Sequence, residues 1–151
     1  MPAYFTHFKR KIKFGRIFEV GRLTVKSVYM NDKILVVDDN QDLLMITRII
    51  LKGKGYEAFL ATSLEEAQRK IKIHQPSLVL LDVCVSDGDG RQLCYQLKSN
   101  PQTSNLRIIL MSGDDDCGKE IIADDFLPKP FDYNELIQKV DRQLTYATLY
   151  H

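Results

Sequence analysis

The sequence predicts an α/β fold in which helices cover a parallel sheet on both faces. Three observations carry this. From residue 33 onward, strand-like and helix-like stretches alternate five times. The strand-like stretches are continuous apolar runs, the pattern of strands buried on both sides. Several of them end in acidic or hydroxyl side chains, where the carboxyl ends of parallel strands gather a ligand site. A chain of 151 residues, 44% apolar, suffices for one domain with its own core.

The elements follow in order. "KILVVDD" reads as a buried strand closed by acids. "LLMITRIILKGKG" places Leu43, Ile46, Ile49 and Ile50 at helical spacing, and Gly53 and Gly55 mark its end. "YEAFLA" is a short strand. Ser63 caps the next helix, with Glu66 as its capping-box partner and Leu64, Ala67 and Ile71 as its inner face. "SLVLLDV" is a second strongly apolar strand ending in aspartate. "GRQLCYQLKSN" is a helix stopped by Pro101, and "LRIILMSG" is a buried strand. "DFLPKPF" holds a short strand, after which Asp132 caps a last helix through "YNELIQKVDRQLTY", expected to run to about Tyr146.

Charge divides the chain. Residues 1–30 carry a net +6 and the remainder −5. This segment fits no clean period, although "GRIFEV" and "RLTVKSVY" could form strands. Three readings stand: a basic, ill-ordered extension, a hairpin packed on the body, or a non-native segment upstream of a natural start near Met30. The expected organisation is therefore a basic extension over 1–30, a domain over 31–147 and a tail over 148–151, with no second domain after the last helix.

No run approaches the roughly 18–20 apolar residues that span a bilayer, and charges from Lys9 to Arg16 interrupt any signal-peptide block. Membrane insertion is not expected. Cys84, Cys94 and Cys117 are odd in number and form no CxxC. That points away from a disulfide scaffold or a zinc site and toward a reducing, cytoplasmic compartment. The acidic body and the lack of an aromatic-basic module argue against nucleic acid as a partner.

The first strand ends at Asp38 and Asp39, the third at Asp82, the fourth at Ser112 and the fifth at Lys129. In a doubly wound order these ends lie side by side. Three close carboxylates repel one another and stay ionised only beside a cation. An open cluster of hard oxygen ligands suits Mg²⁺, which keeps waters and takes a phosphate as a further ligand. One carboxylate left partly free could attack a phosphoryl group. Ser112 and Lys129 could hold the phosphoryl oxygens by hydrogen bond and by charge. The plainer reading is that each acid marks only the place where a strand surfaces. The joint pattern favours a site.

At "ILVVDDN", "LVLLDV" followed by "SDGDG", "IILMSG" and "DDFLPKPF", the chain resembles the receiver domain of two-component response regulators, over about residues 32–147. The resemblance implies a doubly wound, five-stranded parallel sheet of the flavodoxin-like or CheY-like kind, order 2-1-3-4-5. It also implies that Asp82 accepts a phosphoryl group from a histidine kinase or phosphotransfer protein. Asp39 would be the main metal-binding acid with Asp38 beside it, and the Cys84 backbone carbonyl would complete the Mg²⁺ shell. Ser112 would be the switch hydroxyl, Lys129 the lysine before a cis proline, and Phe126 the aromatic switch. Asp89 and Gly90 match the pair that turns the chain into the third helix. Output would come through a downstream protein target, as a conformational signal rather than an enzymatic product.

Two departures stand out. Ser86 replaces the proline common after the phosphorylated strand, which implies a freer loop. Only 13 residues separate Ser112 from Phe126. They include Asp114, Asp115, Asp116 and Gly118, and leave a shortened fourth helix region. The expected function is a single-domain receiver that binds a protein or relays its phosphoryl group. The alternatives are a non-phosphorylated scaffold on the same fold and, last, a transcriptional regulator acting through the basic extension.

Overall fold

The structure is a computed structural model. It describes residues 18–20, 23–25, 32–113 and 122–149. The chain divides into two units, Met1–Asn31 and Asp32–His151. In the first, β1 (Phe18–Val20) pairs antiparallel with β2 (Leu23–Val25), Phe18 opposite Val25. These strands lie inside the two stretches singled out by sequence, and the rest of that segment lies outside the described residues.

The second unit runs β3 (Lys33–Val37), α1 (Gln41–Gly53), β4 (Glu57–Ala61), α2 (Leu64–His74), β5 (Leu78–Asp82), the short pair β6 (Cys84–Val85) and β7 (Gly88–Asp89), α3 (Gly90–Ser99), β8 (Arg107–Ser112), β9 (Asp125–Pro128) and α4 (Tyr133–Leu149). Five strands form one sheet in the order β4-β3-β5-β8-β9, every neighbouring pair parallel. Counted along the chain this is 2-1-3-4-5, so the carboxyl ends of β3 and β5 stand together where the winding reverses.

Alternate residues of each strand serve opposite cores, which is why the strands read as unbroken apolar runs. Ile34, Val36, Leu78, Leu80, Ile109 and Met111 pack with α1 and α4 residues such as Leu44, Leu51, Leu136 and Val140. Leu35, Val37, Val79, Leu81, Ile108 and Leu110 pack with Ala67, Ile71, Leu93 and Leu97 of α2 and α3.

The buried face of α1 differs from the spacing read in sequence. Leu44, Thr47 and Leu51 are buried, while Ile46 and Ile49 are exposed and Ile50 is half-buried. The helix carries two adjacent apolar stripes. The sheet selects one, and the cap at Asn40, whose side chain accepts from Leu43 N at 3.1 Å, fixes the phase. Ser63 caps α2, accepting from Glu66 N at 3.1 Å. The Glu66 carboxylate reaches back one residue beyond the capping-box position, to Thr62 N at 2.8 Å. The α4 helix continues through Leu149, past its expected end.

The interval holding Asp114 to Asp116 and Gly118 falls on residues 114–121, outside the described residues. Among the described residues no helix lies between Ser112 and Asp125, and four helices flank the sheet. Asp124 secures the entry to β9. Its carboxylate accepts from Ile108 N at 2.8 Å and meets Arg107 Nη1 at 2.9 Å and Lys98 Nζ at 2.5 Å. This anchorage sets the path of the strand that delivers Lys129. No helix among the described residues is long and apolar enough to cross a membrane.

Candidate functional site

The site is built at the carboxyl edge of the sheet. Asp38 follows β3 and is 1% exposed, while its neighbour Asp39 is exposed. Two adjacent residues leaving a strand point to opposite sides, so the pair gives one enclosed and one open carboxylate. The enclosed one accepts from Asn40 N at 2.8 Å. Asp82, the last residue of β5, is 6% exposed and accepts from Cys84 N at 3.3 Å.

Lys129 enters from the end of β9. Its ammonium lies 2.6 Å from Asp38 Oδ2 and 3.1 Å from Asp82 Oδ2. Lys129 N donates to Ser112 O at 2.7 Å, which ties its backbone to the end of β8; the Lys129–Pro130 peptide is cis. Ser112 closes β8, 3% exposed, one residue beyond the partner of Asp82 in the strand register. Phe126 lies on β9, half-buried against the core shared with α2 and α3.

One carboxylate oxygen each from Asp38, Asp39 and Asp82 comes within 4.8 Å of the others. Burial, the dominant influence, pushes the Asp82 carboxyl up from its ordinary value. The Asp38 charge adds to this, while Lys129 and the Cys84 N–H oppose it without cancelling it. Burial pulls Lys129 down, but the hydrogen bonds and charges of Asp38 and Asp82 outweigh it and raise the ammonium. One ammonium among three carboxylates leaves the cluster short of positive charge. The donors are all hard oxygens, two of them buried, and they fit a small divalent cation. The cluster can coordinate a metal ion.

Backbone proximity shapes the same corner. A Cβ on Gly90 would stand 2.1 Å from Asp82 O, so only glycine fits. Gly90 N donates to Val83 O at 2.8 Å, and Asp89 caps α3 through Arg91 N at 2.8 Å. Sequence reasoning paired Asp89 with Gly90 but missed Asp87 and Asn40. Both sit in turn-like runs of acids and small residues, where a structural acceptor and a solvated one look alike.

Comparison with known proteins agrees with this geometry. The response regulator receiver domain profile matches residues 34–141. The alkaline phosphatase synthesis transcriptional regulatory protein PhoP of Bacillus subtilis is 34% identical over 116 residues, covering 74% of this chain and 48% of that protein. The chain thus spans about half the length of this curated relative. The receiver domain of NtrX from Brucella abortus is 31% identical, with a TM-score of 0.66, covering 74% of this chain and 98% of that one. The signal receiver domain of a signal transduction histidine kinase from Syntrophus aciditrophicus is 30% identical, with a TM-score of 0.68, covering 76% and 90%. The profile covers the sheet and the strand ends that bring Asp38, Asp39 and Asp82 together, and the chain belongs to the response regulator receiver domain family.

Proposed function

We propose that the chain accepts a phosphoryl group on Asp82 from a histidine kinase or phosphotransfer protein and signals through the resulting change of surface. The carrying observation is the Lys129 ammonium shared between Asp38 and Asp82, with Asp39 in coordinating reach. In this reading Asp38, Asp39, Asp82 and the Cys84 carbonyl hold Mg²⁺. When bound, the cation would neutralise negative charge on the transferring phosphoryl oxygens.

The remaining work belongs to the chain. A carboxylate oxygen of Asp82 attacks phosphorus as the bond to the donor nitrogen breaks, leaving an acyl phosphate and a free imidazole. Asp82 suits this because burial and Asp38 make its charge costly, so an incoming electrophile relieves it. Lys129 then exchanges Asp82 for a phosphoryl oxygen, and the Ser112 hydroxyl donates to another. Movement of Ser112 opens space beside β9 for Phe126, shifting an existing equilibrium between two surfaces.

An exposed apolar strip on α1, formed by Met45, Ile46 and Ile49, starts just beyond the site and supports a protein partner there. Output through a downstream protein or onward relay follows from the same reading. The odd, unclustered cysteines support a cytosolic setting.

The test is intact-mass spectrometry after incubation with acetyl phosphate, with and without Mg²⁺, beside Asp82→Asn. One Mg²⁺-dependent phosphoryl adduct, absent in the variant, is expected. No adduct under conditions that modify another receiver domain would count against the proposal and move a non-phosphorylated scaffold ahead.

A further inference from the structure

The loop after Asp82 is fastened to a helix that carries none of the site residues. Its tip turns at Ser86 and Asp87, between β6 and β7. The Asp87 carboxylate accepts from Leu64 N at 2.8 Å through one oxygen and from Glu65 N at 3.1 Å through the other. These are free N–H groups of the first turn of α2, where a carboxylate is favoured. The hydrogen bond from Leu64 N, helped by that from Glu65 N, outweighs burial and holds the Asp87 carboxyl below its ordinary value. The backbone follows the tip closely. Gly88, at φ +158°, leaves room for Leu64, whose Cδ1 would stand 3.0 Å from a Cβ at that position. The freedom expected of the turn at Ser86 is thus opposed at the next residue.

The base of the loop is equally well tied. Cys84 N donates to Asp82 Oδ1 and Gly90 N to Val83 O. Between base and tip runs β6, Cys84 paired with Asp89 and Val85 with Gly88. The base contacts fix one end of this short ribbon and the Asp87 contacts the other, so a pivot of the ribbon, which would rotate the Cys84 peptide, is opposed at both ends.

We propose that Asp87 is a positioning residue for the cation: by latching the loop tip to the α2 N-terminus, it holds the Cys84 carbonyl where the cation needs it. The inference rests on the Mg²⁺ site proposed above and adds a residue that touches neither cation nor phosphoryl group.

The test is calorimetric titration of the full chain with MgCl₂ alone, without a phosphoryl donor. Asp87→Ala should weaken Mg²⁺ binding on the order of tenfold, the scale of a lost support behind a metal ligand. Asp87→Asn removes the same charge but keeps an acceptor for Leu64 N, and should stay within about threefold of the parent on that scale. Ser63→Ala removes the other cap of α2 and should lower the Tm while leaving Mg²⁺ affinity unchanged. Equal binding by Asp87→Ala and the parent overturns the proposal. So does an Asn variant as weak as the Ala variant, which would assign the effect to charge. A Ser63→Ala variant as weak as Asp87→Ala would assign it to general loosening of α2 and overturn it as well. A parent chain that binds no Mg²⁺ would overturn the cation site and this inference together, whereas a binding parent with an unaffected Asp87→Ala sinks the inference alone.

Discussion

Lys129 Nζ lies 2.6 Å from Asp38 Oδ2, although 91 positions separate the two residues in the chain. Asp38 is almost fully buried, and the same ammonium also serves Asp82 at 3.1 Å. A single cation divided between two enclosed carboxylates holds the corner together and leaves it charge-deficient. Stability and chemistry are therefore linked here.

Lys129→Ala leaves both buried carboxylates without their ammonium. Removing one partner of a buried ionic set costs about 3 kcal/mol. Urea unfolding without divalent cations should show a loss of that order. Added Mg²⁺ should recover part of it, because a divalent cation meets the same deficit. A variant as stable as the parent in metal-free buffer would mean that Lys129 is not what offsets the two charges.

Asp82 gives the opposite sign. Its carboxyl is raised in the folded chain, because burial, with the Asp38 charge adding to it, outweighs the opposing hydrogen bond and charge of Lys129. The folded state therefore binds the proton more tightly than the unfolded state. Stability falls as pH rises from the ordinary aspartate value through the raised folded value, and above both the full cost is present. Asp82→Asn removes that cost. At pH 7 without Mg²⁺ it should therefore be more stable than the parent. Below the ordinary aspartate value the difference should vanish, since Asp82 is then protonated in both states. A urea series from pH 3 to pH 8 checks this, and an advantage that grows toward low pH would contradict it.

Gly90→Ala separates helix propensity from tertiary contact. Alanine in a helix is ordinarily better than glycine by about 1 kcal/mol. At Gly90 its Cβ would collide with the Asp82 carbonyl oxygen, backbone that cannot rotate away. We expect a loss of about 3 kcal/mol, with slower phosphorylation from acetyl phosphate as Asp82 is displaced. A stabilised Ala variant would show that the corner relaxes freely.

Thr47 is 1% exposed on the buried face of α1, and its Oγ1 has no hydrogen-bond partner among the described residues. Thr47→Val keeps the shape and removes an unsatisfied hydroxyl, which should add about 1 kcal/mol. Because the site does not use Thr47, phosphorylation should be unchanged. A loss of stability on urea unfolding would reveal a partner for that hydroxyl.

The sequence by itself determined the class of fold and pointed to the strand-end residues from which the candidate site is drawn. Unbroken apolar strands such as "ILVV" and "LVLL" require burial on both faces, and that requirement is local enough to read without coordinates. The same holds for the polar residues closing those strands: Asp38, Asp39, Asp82, Ser112 and Lys129 each stand at an identifiable strand end.

Tertiary structure decided what depends on packing across distance. Both stripes of α1 are apolar, and only contact with the sheet chose Leu44, Thr47 and Leu51 over Ile46 and Ile49. The unequal exposure of Asp38 and Asp39 follows from the direction in which the chain leaves β3. Asp87 reads in sequence as one more turn residue in "SDGDG". Its meaning comes from the first turn of α2, more than 20 residues earlier in the chain, whose free N–H groups become its partners only when loop and helix meet. Sequence pattern records local periodicity and burial. It does not record which distant donor an exposed carboxylate will find.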